Sequence, residues 1–147
     1  MMPIFLLLAI LAGAALPVQF AVNSELRGAV GGPVTAAAIS FLVGTFALAA
    51  AVLLSRQEVP ALSGVSQAPW WAWTGGVLGA FLVAASIILT PRLGAATTVT
   101  FIVAGQILAS IILDHFGLLN LPVHPVTLQR LGGAALVVAG VIVVLRT

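Results

Sequence analysis

At 147 residues the chain is long enough for one domain, yet only 5% of it is charged and 62% is hydrophobic. Soluble domains are about a quarter charged, and five arginines with three carboxylates could not cover the surface of one this size. The medium is lipid. The formal charge of +2 comes from arginines spread singly, with no lysine and no basic run, so nucleic acid is not an expected partner. Without cysteine there are neither disulfides nor thiolate metal sites.

About 20 mostly apolar residues cross a bilayer as a helix. Five stretches approach that length, at 3–22, 33–54, 70–89, 93–113 and 126–145, and none alternates as a barrel strand would. The first opens with "MMPIFLLLAILAGAAL". It has no basic start and is longer than a signal-peptide core, which predicts a retained first helix. Pro17 lies inside it and is expected to kink it just before Gln19 and Asn23. "NSELRGAVGGP" separates the first two spans, with Pro33 at a first-turn position. "SRQEVPALSGVSQAP" leads to Trp70, Trp71 and Trp73, which read as an interfacial aromatic belt. "TPRLG" makes a tight connection into the fourth span, and "DHFGLLNLPVHPVTLQR" a long one into the fifth. The fifth has only 15 residues between Arg130 and Arg146, about 22 Å of rise, and must recruit "VTLQ" and let Arg130 snorkel. The expectation is a single all-α membrane domain over 1–147.

Five spans place Arg56 and Arg130 on one side of the membrane and Arg27, Arg92 and Arg146 on the other. The arginine bias that sets orientation is close to a tie. Either folding or a partner fixes one orientation, or the chain inserts both ways and pairs with an inverted copy of itself. Secondary transporters are often built from inverted repeats around a shared site. Small residues recur every fourth position at Ala36, Ser40 and Gly44, at Gly75 and Gly79, and at Ala135 and Ala139, where backbones can approach. The first two sets suit packing within one copy. Gly133 and Gly140, seven apart on the last helix, suit a dimer interface.

The polar residues inside the spans are few. Gln106 lies in the apolar run "FIVAGQILASIIL", with Ser110 one turn away and Thr98 at the edge of its face. Gln19 and Asn23 are four apart on one face of the first helix. Unpaired amides in hydrocarbon cost several kcal/mol. Such groups act as interhelical clasps, worth about 0.6 kcal/mol on average, or they line a wet cavity. An amide donates and accepts but does not change charge near neutral pH. A site built on these residues therefore reads hydrogen-bonding groups, which favours small polar or amphipathic solutes over strongly cationic ones. Asp114, Glu25 and Arg27 sit at span ends as anchors or salt-bridge partners. Thr97, Thr98 and Thr100 are expected to bond back to their own helix. Trp73 is the belt residue nearest a cavity mouth. No carboxylate pair, nucleophile elbow, phosphate loop or metal cluster is present in the sequence, so neither an enzyme nor a cofactor is expected.

"LPVQFAVNSELR", "AAAISFLVGTFAL", "PRLGAATTVTFIVAGQILASIILDHFG" and "RLGGAALVVAGVIVVL" together resemble the YdcZ-type branch of the drug/metabolite transporter superfamily, through nearly the whole chain. The resemblance implies a small bacterial inner-membrane transporter. It also implies kinship to the small multidrug resistance exporters, which work as antiparallel dimers; the Gly133 and Gly140 face is similar to their dimerising last helix. Those exporters exchange protons through a glutamate in the first span. Here that helix offers Gln19, and Glu25 lies beyond the apolar run, so drug export by that route is not implied. The resulting expectation is a ten-helix antiparallel dimer, with an inverted copy or a paralogue, moving a small organic solute by alternating access. Gln19, Asn23, Gln106, Thr98, Ser110 and Trp73 would bind the solute. The rival is a non-transporting subunit of a larger membrane complex, in which the amides are clasps.

Overall fold

The structure is a computed structural model that describes residues 2–56 and 68–146. Five α-helices, with two short 3₁₀ turns, form all the regular structure of the described residues: α1 (Met2–Val30), α2 (Pro33–Leu54), α3 (Thr74–Leu93), α4 (Ala95–Phe116) and α5 (Leu128–Val144). The protein is all-α, as its sequence predicts. Four of these elements are long and apolar enough to cross a membrane, α3 together with the turn that precedes it; α5, at 17 residues, rises about 26 Å and is shorter. Most of the polar loop expected after α2 lies outside the described residues.

Helix ends and membrane boundaries part company in α1. The sequence suggests a break after residue 22, but the helix continues through "NSELRGAV" to Val30. Hydropathy marks where lipid gives way to headgroups; it does not stop a helix whose Glu25, Leu26 and Arg27 are good helix formers. The helix stops at the Gly31-Gly32 pair, and Pro33 opens α2 at the first turn. Trp70–Trp73 form a 3₁₀ turn rather than the start of α3. Gly94 alone separates α3 from α4, and its φ of 82° is left-handed backbone that glycine adopts without a Cβ penalty.

The chain falls into two compact units, Val18–Arg92 on one hand and Met1–Pro17 with Leu93–Thr147 on the other. In the first, the core is built from small and branched residues of three helices. Ala36 and Ala37 of α2 meet Val83 and Ile87 of α3, with Leu26 and Val30 of α1 packed against them. Alanine at the contact lets these backbones come close, as expected where dispersion rather than hydrophobic burial drives association. Gly79 serves the same end: a Cβ there would stand 3.3 Å from Phe41 Cζ.

Pro91 has no N–H, so it cannot bond the carbonyl four residues back, that of Ile87. Arg27 supplies the missing donor. Its Nη1 reaches the Ile87 carbonyl at 3.5 Å, tying α1 to α3.

In the second unit α4 packs against α5, and a hydrogen-bonded strap joins them. Gly117 ends α4 in left-handed backbone, φ 60°. The His124 N–H then returns to the Asp114 carbonyl at 2.8 Å, and the Val126 N–H donates to His115 Nδ1 at 3.2 Å. Arg130 closes the strap from α5, reaching the Asp114 carboxylate and the His124 carbonyl, each at 3.2 Å. The snorkelling expected of Arg130 thus ends on a partner. Thr127 caps α5 by accepting the Arg130 N–H. The first part of α1, residues 3–15, is exposed at every position.

Candidate functional site

The amide pair of α1 divides. Gln19 is exposed, whereas Asn23, one turn on, is 3% exposed and its Nδ2 has no partner. Phe20, between them in sequence, is 1% exposed and belongs to the core. The two amides therefore do not share one opening. Gln19 instead faces α2 across a groove of about 210 Å³ lined by Ser40, Phe41, Gly44, Thr45 and Leu48. Ser40 and Gly44 are one turn apart, and their small side chains leave the groove its depth.

On α4, Gln106 and Ser110 are both exposed, and Thr98 is fully buried. The Ser110 hydroxyl bonds back to the Ile107 carbonyl at 2.9 Å, which occupies it. Thr100 does likewise with Ala96 at 2.7 Å. Thr98 does not: its hydroxyl is sealed without a partner, contrary to the expectation that it bonds its own helix. Thr90 at the end of α3 is in the same condition. Trp73 is 60% exposed, in the turn that precedes α3. Gly133 and Gly140 of α5 have open space where a Cβ would stand.

A larger opening of about 510 Å³ lies where α1 passes into α2, lined by Ser24, Arg27, Gly28, Gly31, Gly32, Pro33 and Pro91. Sequence reasoning gave Arg27 the role of an anchor or salt-bridge partner. The signal was there, since Pro91 promised an orphan carbonyl, but nothing in the sequence named its donor. Ser40 was legible as a small packing residue and not as a groove-lining hydroxyl. Among the described residues no group of His, Asp and Glu could hold a metal ion.

The family model described as "DMT_YdcZ: Putative inner membrane exporter, YdcZ" matches residues 4–143. The chain belongs to this family. Among curated proteins it is similar to the inner membrane protein YdcZ of Escherichia coli (strain K12), 38% identical over 82 residues. That alignment covers 56% of this chain and 54% of the relative, so the chain matches about half the length of that protein. No solved structure matches. The family is described as one of inner membrane exporters and not of enzymes, and the apolar helices found here are in keeping with that membrane.

Proposed function

We propose that this chain is a secondary transporter that moves a small organic solute across the inner membrane by alternating access. The observation that carries the reading is the family match over residues 4–143. Polar side chains left open in a membrane-embedded fold support it. Neither the Gln19 nor the Gln106 amide makes a hydrogen bond among the described residues. A clasp would consume such groups; a passing solute or water would use them in turn. Gln19, Asn23, Gln106, Thr98, Ser110 and Trp73 are the residues assigned to solute contact, with Gln106 the first to test.

The transporting unit in this proposal is two copies in opposite orientation, or one copy with a paralogue, so that ten helices surround a midplane path. The near-tie of arginines across the loops supports it, as does the open face at Gly133 and Gly140. Kinship to the antiparallel small multidrug resistance exporters is part of the same proposal.

Two measurements test it. The chain lacks cysteine, so single cysteines at either terminus can be labelled from outside intact cells with an impermeant reagent. Both termini should label in part. One clean orientation would remove the inverted homodimer. Profiling solutes in the medium of overexpressing cells should show at least one that rises with the wild type and not with Gln106→Ala; identical profiles would overturn solute binding at Gln106.

A further inference from the structure

We infer that the groove between α1 and α2 is itself a binding site for one small uncharged solute with a hydrogen-bonding end and an apolar body. This rests on the transporter reading above and gives it a place and a chemistry within a single copy.

Ser40 lies seven residues into α2 and Leu48 fifteen, about 10 and 22 Å along its axis. The groove therefore sits at the level of the hydrocarbon core. Hydroxyls on membrane helices ordinarily bond a carbonyl of their own helix. Thr45 does so, to Phe41 at 2.8 Å, and Ser86 to Val83 at 2.8 Å. Ser40 makes no such bond, and Gln19 opposite it makes none either. An acyl chain cannot satisfy an amide and a hydroxyl at this depth.

A neighbouring groove shows what a lipid-compatible surface looks like. It runs between α2 and α3, about 320 Å³, lined by Val34, Ala37, Ala38, Phe41, Ala80 and Ala84, without one polar side chain. Phe41 is the wall between the two. The same helix thus presents an apolar groove to one side and a groove with two unpaired polar groups to the other.

The chemistry of the occupant follows. The lining carries no Asp, Glu, His or Arg, so a formal charge of either sign would enter without a counter-ion at a depth where that is costly. Gln19 offers both donors and an acceptor, and Ser40 offers one of each kind. The ring of Phe41 and the side chain of Leu48 take the apolar body. The volume is about seven waters' worth at roughly 30 Å³ each, below the usual range of drug-sized pockets. That limits the solute to a small metabolite.

The test uses the cysteine-free background. Ser40→Cys is compared with Leu42→Cys, which sits on the exposed face of the same helix, in reconstituted vesicles. N-ethylmaleimide, small and neutral, is expected to label Ser40→Cys at least tenfold faster than Leu42→Cys, because the reaction needs a thiolate and hence water. A cationic methanethiosulfonate should show no such preference. 2-Phenylacetamide should slow the labelling of Ser40→Cys, whereas its charged analogues phenylacetate and phenethylammonium should not, and Gln19→Leu should abolish that protection. Labelling of Ser40→Cys no faster than Leu42→Cys would overturn the site, with the groove filled by lipid or by a helix of a second copy. Protection by the ammonium or carboxylate analogue equal to the amide's, or no protection by the amide, would overturn the chemistry. Failure of the groove with mixed terminal topology would leave the transporter reading standing. Fast, protectable labelling in a chain of single orientation would remove the inverted homodimer and keep the groove.

Discussion

Arg27 and Pro91 should behave as one device. Without a prolyl N–H, the carbonyl of Ile87, a residue with no exposed surface, depends on the Arg27 guanidinium at 3.5 Å. Hydrogen bonds from charged donors contribute about 1.5–3 kcal/mol, and a buried acceptor left alone costs about 1–3. The long separation and the half-buried arginine place Arg27→Ala near the low end, at about 1.5 kcal/mol. For a chain of this size that is roughly 3–6 °C in Tm. Pro91→Ala restores an N–H four residues after Ile87 and returns the carbonyl to its own helix. It should be neutral or stabilising by up to about 1 kcal/mol, since Pro91 is two residues before Leu93 at the end of α3, outside the helix interior to which the full ~3 kcal/mol proline penalty applies. In the Pro91→Ala background the cost of Arg27→Ala should fall below about 0.5 kcal/mol. The coupling energy of the cycle is then about 1 kcal/mol. Thermal unfolding in lipid nanodiscs, followed by far-ultraviolet circular dichroism, reads all four proteins. Equal losses from Arg27→Ala in both backgrounds would refute the reasoning, as would no loss in the wild type.

Thr127→Ala removes the cap of α5 and should lower stability by about 1 kcal/mol, visible as a Tm drop of about 2–4 °C, while Thr127→Ser should recover most of it. Gly117→Ala meets two obstacles, a φ of 60° and a Cβ that would stand 2.6 Å from Val123 Cγ2. Its loss should exceed 1 kcal/mol, and Val123→Ala should return only part of it in the same unfolding assay, because the backbone strain remains. Thr98→Val removes a buried, unpartnered hydroxyl at nearly constant shape, so Tm should stay level or rise; a loss beyond about 1 kcal/mol would mean that the hydroxyl has a partner such as a water.

How much of this was legible depends on the kind of signal. Composition and five apolar runs were enough for an all-helical membrane protein, because lipid permits little else. The ends were less legible. Hydropathy falls at Asn23, yet α1 runs on to Val30, since a helix that leaves the hydrocarbon keeps its own hydrogen bonds. Gln19 and Asn23, four apart in sequence, looked equivalent. Four residues leave a net rotation of about 40° around the helix, and that offset, combined with the approach of α2 and α3, sends one to a groove and the other to the core. No periodicity rule contains that approach. The clasp at Ile87 was half legible: the proline announces an unsatisfied carbonyl, and only the fold supplies the arginine from sixty residues away.

The polar groups then divide into two energetic classes. Ser40 and Gln19 are unpaired but open, so a solute or water can reach them as the protein stands. Asn23, Thr90 and Thr98 are unpaired and sealed. Each sealed atom opposes this conformation by about 1–3 kcal/mol, with no benefit to packing that valine or leucine would not give. On the transporter reading this is the expected signature of one closed state. A second arrangement that wets those atoms recovers their hydration and gives up some helix contact in exchange. The two arrangements can then lie within a few kcal/mol of each other, which is the range in which a solute's own contacts with Gln19 and Ser40 are large enough to choose between them.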